Sequence, residues 1–252
     1  MSTMNHSLDG LRIAVAMPIF NESDGIAETL TSIDKAFRGS GATVTMCIQN
    51  DVSTDNTLQV LTDLATALQL NITVETNQQN SGHGPTTFAA YQRALSTESS
   101  IVMQLDSDGQ FDSTELPVLC SAIIAGSDIA IGIRSNRVDP WFRKFLTYLL
   151  RNFLRARYVG RFPDPNSPIR AYSASVLTSM LSELPSEPLI PNIYLSILAV
   201  RKKLRVAYIH VSHRERRGSQ STGTMWQSTS QWKRIGRLLK FCRKSFRQLL
   251  SF

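Results

Sequence analysis

The chain has 252 residues, 42% of them hydrophobic and 19% charged, which suffices for one large α/β domain with a full core or for two small ones. Its net charge of +7 is gathered at one end: residues 228–252 carry seven basic side chains and no acidic one, so a neutral body ends in a tail suited to an anionic surface. Three scattered cysteines without metal-ligand spacing read as free thiols of a reducing compartment, no signal peptide is visible, and no apolar run reaches the roughly 18 residues of a membrane span.

Residues 11–17 (LRIAVAM) read as a strand stopped by Pro18 and a polar turn, and residues 23–37 as a helix with Ile26, Leu30, Ile33 and Phe37 on one face. A second strand (42–48) ends at Asn50-Asp51, a helix spans 57–70, and a short strand spans 72–75. The loop 77–84 leads into a helix over 86–95. Then comes the centre of the chain, IVMQLDSDGQ (101–110), an apolar run that stops at Asp106, Asp108, Gly109 and Gln110. A helix (115–124) and a strand (128–133) follow. Strands alternating with helices over short connections predict a right-handed parallel sheet.

In such sheets ligands bind beyond the carboxyl ends of the strands. Two carboxylates spaced one apart, with the Gln110 amide, suit Mg2+ or Mn2+ gripping phosphate oxygens. The plainer reading of those residues alone is a solvated Asp-Gly turn. Polar clusters end three strands, however: PIFNE (18–22), NDVSTD (50–55) and DSDGQ (106–110). Together they suggest one shared pocket.

These residues carry a resemblance. PIFNE resembles the PVYNE motif of family 2 glycosyltransferases, NDVSTDNT their DDGSTDGT, and DSDGQ their D-x-D, while NSGHGPTTFAAYQRA (80–94) is similar to the Gly-rich loop and helix between those motifs. The resemblance covers about residues 11–225 and implies the GT-A fold: a Rossmann-like, mostly parallel sheet flanked by helices. It implies a nucleoside-diphosphate sugar donor, with Pro18, Phe20 and Glu22 lining base and ribose and Asp51 reading the base. Asp106, Asp108 and Gln110 would hold the cation, Asp106 also facing the donor and Asp108 serving catalysis. Asn50 and Val52 replace the family's Asp and Gly. Because a β-branched residue does not readily take a positive φ, a different local turn or different base contacts are expected there.

IGIRSNR (131–137) resembles the family's G-S-R stretch, FPDPNSPIRAYS (162–173) its D-x-x-x-G-x-R-x-Y element, and HRERRGS (213–219) its H-x-x-R-x-x-G-S element. In relatives that glycosylate polyprenyl phosphates, such as dolichyl-phosphate mannose synthase, the Asp matching Asp164 lies beside the acceptor. A polyprenyl phosphate acceptor is therefore expected, held by Arg134, Arg137, Arg170, His213, Arg216 and Ser219. If the acceptor were a sugar hydroxyl instead, Asp164 would be the general base that it needs.

Residues 141–158 read as a helix with an apolar face flanked by arginines, a core helix or one bedded in lipid headgroups. Residues 226–252 form the tail, set apart from a catalytic domain over 1–225. There Trp232, Ile235, Leu238, Leu239, Cys242, Phe246 and Leu249 recur at helical spacing with lysines and arginines on the other sides. The expectation is a C-terminal amphipathic helix on an anionic membrane, with the protein peripheral on the cytoplasmic face; docking of that helix onto the body or a partner protein is the alternative. Nucleic acid is not expected as a partner, since no reader motif accompanies the basic tail.

Overall fold

The computed structural model describes residues 7–135, 141–212, 214 and 231–252. Among these residues seven strands form a single sheet: β1 Arg12–Ile19, β2 Thr43–Asn50, β3 Ile72–Thr76, β4 Ile101–Gln104, β5 Ile129–Ser135, β6 Arg170–Ser173 and β7 Val206–Ser212. The helices are α1 Ile26–Phe37, α2 Thr57–Leu68, α3 His83–Leu95, α4 Leu116–Ile124, α5 Trp141–Arg157, α6 Ala174–Leu181, α7 Pro191–Arg201 and α8 Gln231–Leu250, with one 3-10 turn at Ser113–Glu115.

Sheet order is β3-β2-β1-β4-β6-β5-β7. All neighbouring pairs are parallel except those of β6, which runs antiparallel between β4 and β5. The expected parallel sheet thus carries one reversed strand. Register then decides where the site lies. Ile19 pairs with Asn50, Asn50 with Thr76, and Gln104 with Arg170, so the ends of β1, β2, β3 and β4 and the start of β6 meet along one edge.

Side chains alternate across β1. Ile13, Val15, Met17 and Ile19 face the layer holding α1 and α4, whereas Ala14 and Ala16 face α3, α6 and α7. Gly25 caps α1 with no side-chain bond, yet Ile26, Leu30, Ile33 and Phe37 are all buried. Each such burial contributes about 2 kcal/mol against about 1 for a cap, so packing holds this helix.

Helix α7 is buried on every side from Pro191 to Ala199. A third cluster joins it to α5 and α8, where Leu154, Phe162, Ile193, Tyr194, Ile197 and Leu249 pack together. The C-terminal turns of α8 therefore dock on the body. Gln248 accepts hydrogen bonds from the Leu189 N–H and the Tyr194 hydroxyl and donates to the Glu187 carbonyl, and Phe246 lies 5.2 Å from Phe153, centroid to centroid.

Candidate active site

The loops after β1 and β2 interlock. Asn21 takes a left-handed φ of 52°, and its Oδ1 accepts from Thr54 N–H while its own N–H donates to Ser53 Oγ. Glu22 N–H donates to Thr57 Oγ1, and Ser23 N–H to Asp55 Oδ2. The STD portion of NDVSTD is thus a clasp between two loops. It leaves Pro18 and Glu22 buried and Phe20 half-buried beside the end of β2.

Asn50 uses the amide that distinguishes it from Asp: Nδ2 donates to Thr76 Oγ1, and Oδ1 accepts from Ser53. Val52 departs from expectation. It takes φ 62°, so the left-handed turn persists despite the β-branched side chain, held by the bonds on either side of it. That conformation costs on the order of 1–3 kcal/mol, which the surrounding clasp must offset.

Asp51 is 4% exposed. Its Oδ1 accepts from Asn77 Nδ2 and Ser81 N–H at 2.8 and 2.7 Å, and its Oδ2 from Gly82 N–H at 2.9 Å. Expected to read a base, this carboxylate here fastens the Gly-rich loop over the end of β2. Gly82 supplies a φ of 83° at the start of α3. At Gly84 a Cβ would fall 2.3 Å from the Leu189 carbonyl oxygen, so only glycine permits that close passage of two backbones.

Asp106 and Asp108 follow β4 at the same edge, both half-buried. Gln104 Nε2 donates to Asp106 Oδ1 at 3.1 Å, and Gln110 N–H to Asp108 Oδ1 at 3.1 Å. His83 Nε2 stands 3.7 Å from Asp106 Oδ1. Among the described residues no three His, Cys, Asp or Glu side chains converge as a metal cage. Two carboxylates nevertheless fit Mg2+ or Mn2+ in its usual setting, where phosphate oxygens complete the shell.

Across the edge, Asp164 and Arg134 form a bidentate pair at 2.8 and 3.0 Å, both nearly buried. Sequence reading gave them separate tasks, and the structure binds them to each other. Arg170, expected at the acceptor, is wholly buried. It donates to the carbonyls of Ser167 and Pro165, both at 2.7 Å, and to Ser196 Oγ and the Tyr172 hydroxyl. A guanidinium sealed in this way holds the 164–167 loop rather than a ligand, and this corrects the expectation. Burial works against its charge, but the oxygens that accept from it, with the Asp164 carboxylate nearby, outweigh that.

Arg137, His213, Arg216 and Ser219 lie outside the described residues. Arg214 N–H donates to the Gln110 carbonyl and its guanidinium pairs with Asp112, so the segment after β7 meets the D-x-D loop. Sequence reading missed Asn77, Gln104 and Asn192. For the last two the signal was a polar residue within an apolar buried element, in IVMQL and in PNIYLSILAV.

A family model described as Glycosyl transferase family 2 matches residues 14–183. Among curated proteins, the undecaprenyl-phosphate 4-deoxy-4-formamido-L-arabinose transferase of Edwardsiella ictaluri is 27% identical over 209 residues, 83% of this chain and 62% of the relative. The protein of the same name from Klebsiella pneumoniae subsp. pneumoniae is 26% identical over 205 residues, 81% and 60% of the two chains. This chain spans about three fifths of the length of those relatives. Solved structures share the fold, among them the following two. Glucosyl-3-phosphoglycerate synthase from Mycobacterium tuberculosis, in complex with Mn2+ and uridine-diphosphate-glucose, has a TM-score of 0.65 at 19% identity, with 96% of this chain and 79% of that one covered. S. aureus TarS 1-349 in complex with UDP has a TM-score of 0.59 at 22% identity, with 80% and 60% covered.

Proposed function

The chain belongs to glycosyl transferase family 2, and from that premise we propose that it transfers a sugar from a nucleoside-diphosphate sugar to a polyprenyl phosphate. The observation that carries this reading is one sheet edge: Glu22, Asp51, Asp106 and Asp108 follow the ends of β1, β2 and β4 there, and the Asp164–Arg134 pair lies by the start of β6 and the end of β5 at the same edge. Acceptor chemistry follows from that pair. Both Asp164 oxygens accept from Arg134, an arrangement better suited to orienting the guanidinium than to collecting a hydroxyl proton.

A phosphate monoester needs no such base, because its second pKa near 6 leaves it mostly dianionic at neutral pH. In the proposed reaction its oxygen attacks the anomeric carbon from the side opposite the diphosphate. One carbon–oxygen bond forms as the other breaks, nucleoside diphosphate leaves, and the centre inverts. Glu22 would hold the ribose hydroxyls, with Pro18 and Phe20 beside the base. Asp51 would shape the base end of the groove through the loop that it fastens. Asp106 and Asp108, with Gln110, would hold Mg2+ or Mn2+, which when bound neutralises charge on the leaving diphosphate.

The curated relatives named as undecaprenyl-phosphate transferases support a lipid acceptor. Exposed Tyr148, Leu149, Phe246 and Leu250, with exposed Arg155, Arg157, Lys240, Arg243 and Lys244, support a peripheral place on an anionic cytoplasmic leaflet. Among the described residues no helix is long and apolar enough to cross a membrane.

The test is transfer from a panel of uridine- and guanosine-diphosphate sugars to undecaprenyl phosphate, in wild type, Asp108→Ala and Asp164→Asn. Asp108→Ala should lose about 100-fold or more in rate. Asp164→Asn should lose about 10-fold with an unchanged pH profile, as a misplaced positioning group does. A larger loss that removes the profile's acid limb, with activity on a sugar hydroxyl, would instead make Asp164 a base and the acceptor a glycan.

A further inference from the structure

Within the otherwise apolar helix α7, Asn192 and Ser196 are buried polar side chains, 5% exposed each. Both are turned to the loop that carries Asp164. Ser196 Oγ donates to the Pro165 carbonyl at 2.9 Å, and Asn192 Nδ2 to the Ser167 carbonyl at 3.3 Å. The same Nδ2 donates to Gln104 Oε1 at 3.0 Å, and the Asn192 Oδ1 accepts from the Tyr91 hydroxyl at 2.9 Å. Gln104, the last residue of β4, is completely buried and donates in turn to Asp106 Oδ1. One hydrogen-bonded line therefore runs from Asp106 through Gln104 and Asn192 to Ser167. Arg170 fastens its far end through the carbonyls of residues 165 and 167.

We propose that Gln104 and Asn192 are positioning residues that hold the Asp106 carboxylate and the 164–167 loop in one fixed relation. The inference rests on the reading of Asp106 as a cation ligand. An amide is the right group for each place, since it must donate on one side and accept on the other. A carboxylate at 104 would face Asp106 with like charge, and an apolar residue would take away the donor that holds Asp106 Oδ1. The line spans both halves of the site, so a shift at one end is felt at the other. Outer partners of this kind set the orientation of a ligating carboxylate and with it the metal affinity.

The variants are Asn192→Leu, which keeps the branched outline of the amide at a larger volume, and Gln104→Met, which is close to the native residue in volume. Each is titrated with Mn2+ in the presence of whichever of uridine or guanosine diphosphate the wild type binds more tightly. Free Mn2+ is read by electron paramagnetic resonance, and thermal melts run alongside. The expected result is a loss of about 10-fold in Mn2+ affinity in each variant. Metal-free diphosphate binding should not change, and the double variant should be no worse than either single one. A merely structural role would lower the melting temperature and leave Mn2+ affinity untouched, and that outcome overturns the proposal. Should Asn192→Leu fail to fold, Gln104→Met alone decides by the same readout. Asp108→Ala separates the two layers of inference. If it loses Mn2+ while the amide variants keep it, the line alone is wrong. If all three keep it, the cation reading falls and the line with it.

Discussion

Asp55 has the look of a substrate carboxylate, yet its oxygens are spent inside the protein. Burial alone would raise its carboxyl, but hydrogen bonds from Thr57 and Ser23, side chain and backbone, outweigh that and hold it below the usual carboxylate range. A group depressed in the folded state lends stability above its unfolded pKa of about 3.9 and loses it as pH falls through the folded value. Asp55→Asn should therefore lower stability by about 1–2 kcal/mol near neutrality. The gap from wild type should close on acidification toward pH 3. Thermal melts across pH check it. Motif spelling showed which loops meet at the site, but not which residues serve the loops and which the ligand. Val52 makes the same point, since nothing in its type predicts a φ of 62°; only the neighbours that grip it explain that angle.

At the scale of elements, the strands and helices up to β5 were legible because each carries its period and its breaker. The short β6, Arg170–Ser173, was not legible, since RAYS is too brief to show alternation. Its antiparallel pairing depends wholly on β4 and β5. That strand also explains why Arg170 does not reach an acceptor: at the start of β6, beside Gln104 and Ile131, it enters the core. The start of α3 offers a ranking to test. Gly82 combines a positive φ of 83° with an extended ψ of 166°, a backbone open almost solely to glycine, in open space, whereas Gly84 has ordinary φ and the Leu189 backbone against it. Gly82→Ala should cost about 2 kcal/mol from strain and Gly84→Ala about 3 from overlap with a backbone that cannot step aside. Urea midpoints would show whether that order holds.

Across the whole molecule, α5 and α8 join through Phe153 and Phe246 into one apolar and basic face. Charge and periodicity made the two amphipathic helices legible; that they meet, and that Gln248 and Leu249 are the residues that dock, was not, because nothing local distinguishes them from their neighbours. Lys240 and Lys244 are exposed on α8. Reversing both to Glu should weaken binding to vesicles rich in phosphatidylglycerol by about 30-fold or more, taking roughly 1 kcal/mol per lysine. Sedimentation measures this, and neutral vesicles serve as the comparison. Point reversals are the right probe, since cutting the tail away would also unplug Leu249 from the core and Gln248 from Leu189.

The same docking bears on the calorimetry of any surface contact. A free amphipathic segment in water must coil into a helix as it binds, and helix nucleation opposes that. The last turns of α8 are already wound, clamped by Leu249 while Phe246 and Leu250 stay exposed at 46% and 54%. Contact at those turns therefore begins from a formed helix, and its heat carries no contribution from winding one.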